Sequence, residues 1–177
     1  MRDLQKLYRE KAEAFGALLG RDDTDPAAST PCEGWTVADV VDHVVDTQRD
    51  FLARHTDLGP RPDGDLATRW AAHSAAVEAL PGDLWPREYD GYFGRTTVGA
   101  TLVDFYGFDM VVHRWDVARA LGRDELFTDA ELDLLETSIA GFGDAMYSEG
   151  ICKPAVPVPG GASRQDRLLA LTGRDPR

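Results

Sequence analysis

Between Thr97 and Gly122 the chain runs without a proline and repeats its apolar residues at the period of an α-helix. Thr97 suits the N-cap of that helix and Gly122 its C-terminal stop. At about 100° per residue, Val98, Leu102, Phe105, Val112 and Ala120 share one face, and Asp109, His113 and Asp116 fall on the same face. A helix of this kind is stable only when its apolar stripe is buried against other elements. The segment therefore demands a packed partner and carries three ionisable side chains into the contact.

The remaining periodic stretches are helical too. Leu4, Tyr8, Ala12, Phe15 and Leu19 mark a first helix over about 2–20. Thr36 with Asp39 is close to a capping box for a second, whose stripe of Val37, Val40, Val41, Val44, Val45, Gln48, Phe51 and Leu52 is apolar apart from Gln48. Leu66, Trp70, His73, Val77 and Leu80 predict a third, ended by Pro81 and Gly82. Thr128 with Glu131 opens a fifth over about 129–148, and Ser163 with Asp166 starts a short terminal helix after a Pro/Val-rich extended segment. REYDGYFGRT alternates aromatics with Gly and Asp and reads as a loop or short hairpin. The expected fold class is all-α: a helical bundle with little or no sheet, in one domain over 1–177, with 155–177 an extended linker and short helix packed on it.

A carboxylate on a core-facing stripe costs several kcal/mol, on the order of 2 or more, unless it is paired or bound to metal. Asp109 and His113 stand four apart, the spacing at which two side chains on one helix face grip one ion. An internal Asp to His hydrogen bond without metal answers the same constraint. Asp116 is either a group that orients a ligand from behind or the partner of an arginine such as Arg119 or Arg95. His43 projects well off the valine stripe, beside Asp39 and Asp46, which suits solvent or the wall of a polar cleft. His73 lies on the apolar side of its helix, as a core histidine bonded to a backbone carbonyl or as a rival ligand. His55, near a helix end, is expected to be exposed or capping. Trp35 and Trp115 read as packing residues, and Tyr89, Tyr92 and Phe93 as a loop able to line a pocket mouth.

Composition closes off several classes. A net charge of −12 with no Lys/Arg cluster argues against nucleic acid and anionic lipid as partners. No segment reads as a signal peptide or a membrane span, so a cytoplasmic protein is expected. Cys32 and Cys152 are far apart without CxxC spacing, so isolated thiols are expected rather than a bridge. There is no GxSxG, Gly-rich phosphate loop or HExxH, and nothing selects a glycosidase-like carboxylate pair among so many acids.

TPCEGWTVADVVDHVV, followed well downstream by DMVVHRWDVARALG, resembles the DinB-like superfamily, and more closely the N-terminal domain of mycothiol-dependent maleylpyruvate isomerase and its single-domain actinobacterial relatives. The tail PAVPVPGGASRQDRLLALTGRDP also looks like those relatives. The resemblance implies a DinB-like four-helix bundle. It also implies a divalent metal, zinc first and nickel or another ion second, held by His43, Asp109 and His113. The isomerase pattern has Glu where this chain has Asp109, one methylene shorter. The isomerase's C-terminal domain has no counterpart in this sequence, so maleylpyruvate does not carry over as substrate.

Three protein ligands leave an open coordination position, as catalytic zinc sites do. With the resemblance, this points to a metal-dependent enzyme using mycothiol as co-substrate, for S-transfer to, or isomerisation of, a small electrophilic metabolite. Its partners would then be a small-molecule substrate and a low-molecular-weight thiol, and the superfamily's habit suggests a homodimer. Two readings stand beside it: a thiol-independent metal-dependent hydrolase, lyase or cyclase of specialised metabolism, and a non-catalytic ligand-binding module.

Overall fold

The computed structural model describes residues 2–148 and 151–177. Its chain divides into two compact units, Met1–Arg123 and Asp124–Arg177. The first is an all-α bundle with one small hairpin, in the order α1 (Leu4–Leu19), α2 (Val37–Leu52), α3 (Leu66–Glu78), β1 (Glu88–Gly91), β2 (Gly94–Thr97), a short α4 (Val98–Ala100), a π-helical turn (Thr101–Phe105) and α5 (Tyr106–Ala120). Helix α1 packs on α3 and α5, and α2 packs on the same two, so the four long helices close a ring around one core.

Each helix starts where its sequence supplies an acceptor for the orphan amides of the first turn. The Asp3 carboxylate accepts from Lys6 N–H and that of Asp65 from Thr68 N–H, and Thr36 with Asp39 forms a full capping box. The stripe of α2 is buried at all eight of its positions, Gln48 included. Gln48 is tolerated in the core because its Oε1 accepts from Tyr8 OH at 2.8 Å and lies 3.2 Å from His73 Nε2. Trp70 similarly donates its indole N–H to the Ala12 carbonyl at 2.9 Å and packs on Phe15, tying α3 to α1.

The predicted long helix over 97–122 is not continuous. At Thr101–Phe105 it widens into a π turn, closed by an i→i+5 bond from Tyr106 N–H to the Thr101 carbonyl. The extra residue rotates everything after it by about 100° relative to a regular helix. Phe105 is accordingly 37 % exposed instead of lying on the core face with Val98 and Leu102. Past the turn, α5 is buried around nearly its whole circumference, and Asp109 is the half-buried exception up to Ala118.

The aromatic segment before α4 forms the hairpin β1–β2, paired antiparallel from Glu88 with Thr97 to Gly91 with Gly94. Tyr92 and Phe93 stand exposed at its tip. The second unit holds α6 (Asp129–Phe142), a 3-10 turn (Gly143–Tyr147) and α7 (Arg164–Leu171), with capping boxes at Thr128/Glu131 and Ser163/Asp166. The segment before α7 is in neither helix nor strand, and its Val156 N–H bonds the Ala170 carbonyl. Among the described residues, no helix is long and apolar enough to cross a membrane.

Candidate metal centre

Three side chains from two helices meet between α2 and α5. His43 faces inward from α2, and Asp109 and His113 stand one turn apart on α5. His43 Nε2 lies 3.7 Å from Asp109 Oδ2, and His113 Nε2 lies 3.3 Å from Asp109 Oδ1. One donor atom from each of the three falls within 4.8 Å of the others. Asp109, with its shorter side chain, still reaches both rings.

Electrostatics reinforce the grouping. Burial would raise the Asp109 pKa, but the adjacent His113 and then His43 outweigh it and hold the carboxyl well below the usual range. Burial disfavours a charged His113, but Asp109, and after it the hydrogen bond to Asp116, raises its pKa well above the ordinary value. Asp109 Oδ2 is buried and accepts no hydrogen bond. An orphaned anionic oxygen beside two imidazoles is a costly arrangement unless a cation completes it.

Asp116 lies behind His113, its side chain fully buried. Its Oδ2 is 2.9 Å from His113 Nδ1 and accepts from Cys32 Sγ–H at 3.3 Å. An ionised carboxylate only accepts, so Nδ1 carries the proton and Nε2 is the nitrogen turned toward Asp109. Arg95, one of the arginines the sequence offers as a partner for Asp116, pairs with Glu88 across the hairpin.

The two sets of donors differ in spacing, and the difference is informative. Oxygen and nitrogen ligands at about 2.0 to 2.2 Å around a tetrahedral zinc stand roughly 3.3 to 3.6 Å apart. The outer set, with gaps of 3.3 and 3.7 Å, comes close to that spacing. The inner pair, at 2.9 Å, is spaced for a hydrogen bond. His43, Asp109 and His113 thus fit a divalent ion.

The loop before α2 completes the site. Trp35 N–H bonds the Cys32 carbonyl at 3.0 Å, closing a turn that needs Gly34 at φ 78°. Thr30 fastens that turn, accepting from Cys32 N–H and donating its hydroxyl to the Trp35 carbonyl. One turn thus delivers Cys32 to Asp116 and the Trp35 ring to His43 and His113, at centroid distances of 4.9 and 6.1 Å. Trp115 is buried, as expected of an aromatic that supplies packing area.

The other histidines lie apart from this centre. His73 is a core histidine, but its partner is the Gln48 side chain, not a backbone carbonyl, and burial lowers its pKa to about 4. His55 packs between the rings of Phe51 and Tyr89. Neither Cys32 nor Cys152 is in a disulfide. Sequence reasoning treated Cys32 as an isolated thiol and did not bring it to the site. The available signal was its place in the turn TPCEGW, which also holds Trp35.

Residues 8–118, which contain the whole site, match the family described as the mycothiol maleylpyruvate isomerase N-terminal domain. The chain belongs to that family, and its fold is the all-α bundle of the DinB-like class. Two uncharacterized proteins of Mycobacterium tuberculosis, one from strain CDC 1551 / Oshkosh and one from strain ATCC 25618 / H37Rv, are each 29% identical over 180 residues, covering 96% of this chain and 97% of their own length. No solved structure matches.

Proposed function

We propose that this chain is a metal-dependent enzyme that prepares a low-molecular-weight thiol, mycothiol, for S-transfer to, or isomerisation of, a small electrophilic metabolite. The observation that carries the reading is the His43, Asp109 and His113 cluster with its orphaned Asp109 Oδ2, in a chain whose family is named for a mycothiol-dependent isomerase. His43 and His113 would hold the ion through nitrogen and Asp109 through oxygen, a donor set that suits zinc first and other divalent ions after it. When bound, such an ion supplies positive charge that favours the thiolate form of a thiol brought to the open position.

The chain's own residues do the rest. Asp116 keeps the proton on His113 Nδ1 and so keeps Nε2 free to ligate. Trp35 lies against both imidazoles and limits the water that reaches them. Asp109 contributes the negative charge that lets a dication bind without a large net charge in the cleft.

The test is metal analysis of the purified chain combined with a screen of thiol conjugation to electrophiles, on wild type and His43→Ala. About one divalent ion per chain is expected, with thiol-dependent turnover that chelation and His43→Ala both abolish. Turnover that needs the metal but no thiol would replace this reading with hydrolase, lyase or cyclase chemistry. A chain that takes up no metal at all would end the catalytic reading.

A further inference from the structure

We propose that Cys32 is a positioning residue for this centre, acting on His113 through Asp116. The inference rests on the reading of His43, Asp109 and His113 as metal ligands and extends it to a residue outside that set.

Asp116 is fully buried, and one of its oxygens, Oδ2, accepts from both His113 Nδ1–H at 2.9 Å and Cys32 Sγ–H at 3.3 Å. A buried carboxylate is retained only where donors compensate its lost hydration, and the direction of each bond follows from the acceptor having no proton to give. The thiol is therefore the donor, and its proton points to Asp116. Two donors converging on one oxygen hold the carboxylate in one rotamer, and the carboxylate in turn holds the imidazole with Nε2 toward Asp109.

Cys32 is itself held in place. Its N–H bonds Thr30 Oγ1 at 3.2 Å and its carbonyl accepts from Trp35 N–H, so the sulfur rides on a fastened turn. The inner trio of Cys32, His113 and Asp116 also brings its donor atoms within 4.8 Å, which raises the alternative that the sulfur is itself a ligand. The spacing decides against that. A gap of 2.9 Å between Nδ1 and Oδ2 is closer than two ligands of one tetrahedral zinc stand, and it is an ordinary hydrogen-bond length. The geometry gives Cys32 a hydrogen bond to make and leaves the cation to the outer trio.

The experiment is a cobalt(II) titration of the metal-free full-length chain, followed by absorption, with wild type, Cys32→Ser, Cys32→Ala and Cys32→Val. Unfolding midpoints of the metal-free forms show which variants are folded. Wild type should bind cobalt without a sulfur-to-cobalt charge-transfer band. Cys32→Ser keeps a donor and should bind within about twofold of wild type, whereas the two variants that cannot donate should bind about tenfold more weakly.

A charge-transfer band in wild type that Cys32→Ser removes would make the sulfur a ligand and overturn the proposal. Equal affinity in Cys32→Ala or Cys32→Val would overturn it too, as would an equal loss in Cys32→Ser. Each of these results leaves the metal centre itself standing. Failure of wild type to bind cobalt would remove both the centre and the role assigned to Cys32.

Discussion

His73 provides a test of the fold that is independent of any metal. Its ring is fully buried, with Nε2 against Gln48 Oε1 and the Trp70 ring beside it. Burial, aided by the charges of Arg49 and Arg61 and opposed by Asp46, lowers its pKa from 6.5 to about 4. The native protein thus refuses a proton that the unfolded chain accepts, so unfolding takes up a proton between those two values. Stability is fully present above the unfolded pKa and falls as the pH drops toward about 4. At about 1.4 kcal/mol per unit, the whole shift is worth about 3 kcal/mol, of which about 2 is lost between about pH 7.5 and about pH 5. The assay is urea unfolding of metal-free wild type and His73→Gln at those two pH values. The variant retains a donor for Gln48 and cannot titrate. Its cost at high pH cancels in the difference between pH values, and so do the contributions of the other histidines. Wild type should lose about 2 kcal/mol more than His73→Gln on acidification. Parallel losses in the two proteins would refute a neutral, desolvated His73.

Two further substitutions separate the turn from the core. Gly34→Ala forces an L-residue to φ 78° with no steric neighbour to complicate the result, so it should cost about 1 kcal/mol in unfolding free energy. The same variant should also weaken zinc binding measured by calorimetry, because the turn carries both Trp35 and Cys32. Gly99→Ala places a methyl 2.9 Å from the Trp85 backbone oxygen and ring, so it should lower the unfolding free energy by about 1 to 3 kcal/mol, measured by urea titration, while leaving zinc affinity of the folded fraction unchanged.

Helix starts were legible because they are local. The capping pairs Thr36/Asp39, Thr128/Glu131 and Ser163/Asp166 each lie within one turn, and all three form as their spacing predicts. The buried face of α2 was legible for the same reason, down to the polar Gln48 in its middle. The long segment after Thr97 misled at Phe105 because a projection at constant angle assumes an unbroken α-helix, and nothing in TLVDF announces a π turn. The hairpin was legible only as an alternation of aromatics with Gly and Asp, since its pairing depends on contacts made after the chain turns back.

The centre divides along the same line. Asp109 and His113 could be paired from their spacing alone, because four residues on a helix are neighbours in space. His43 could be excluded from the core by its angle to the valine stripe, but its destination needed the packing of α2 against α5. Cys32 and Asp116 are separated by 84 positions, and no local rule joins them. What connects them is the tension at Asp116: a carboxylate driven into the core by the pitch of α5 has to find donors, and the turn before α2 supplies one from outside the helix. The buried acid on a helix face was therefore the informative anomaly, and it marks two different jobs. At Asp109, beside two imidazoles, one oxygen is left over, and it is this oxygen that the proposed cation would answer. At Asp116, donors converge on one oxygen, which is the contact the proposed hold on His113 rests on.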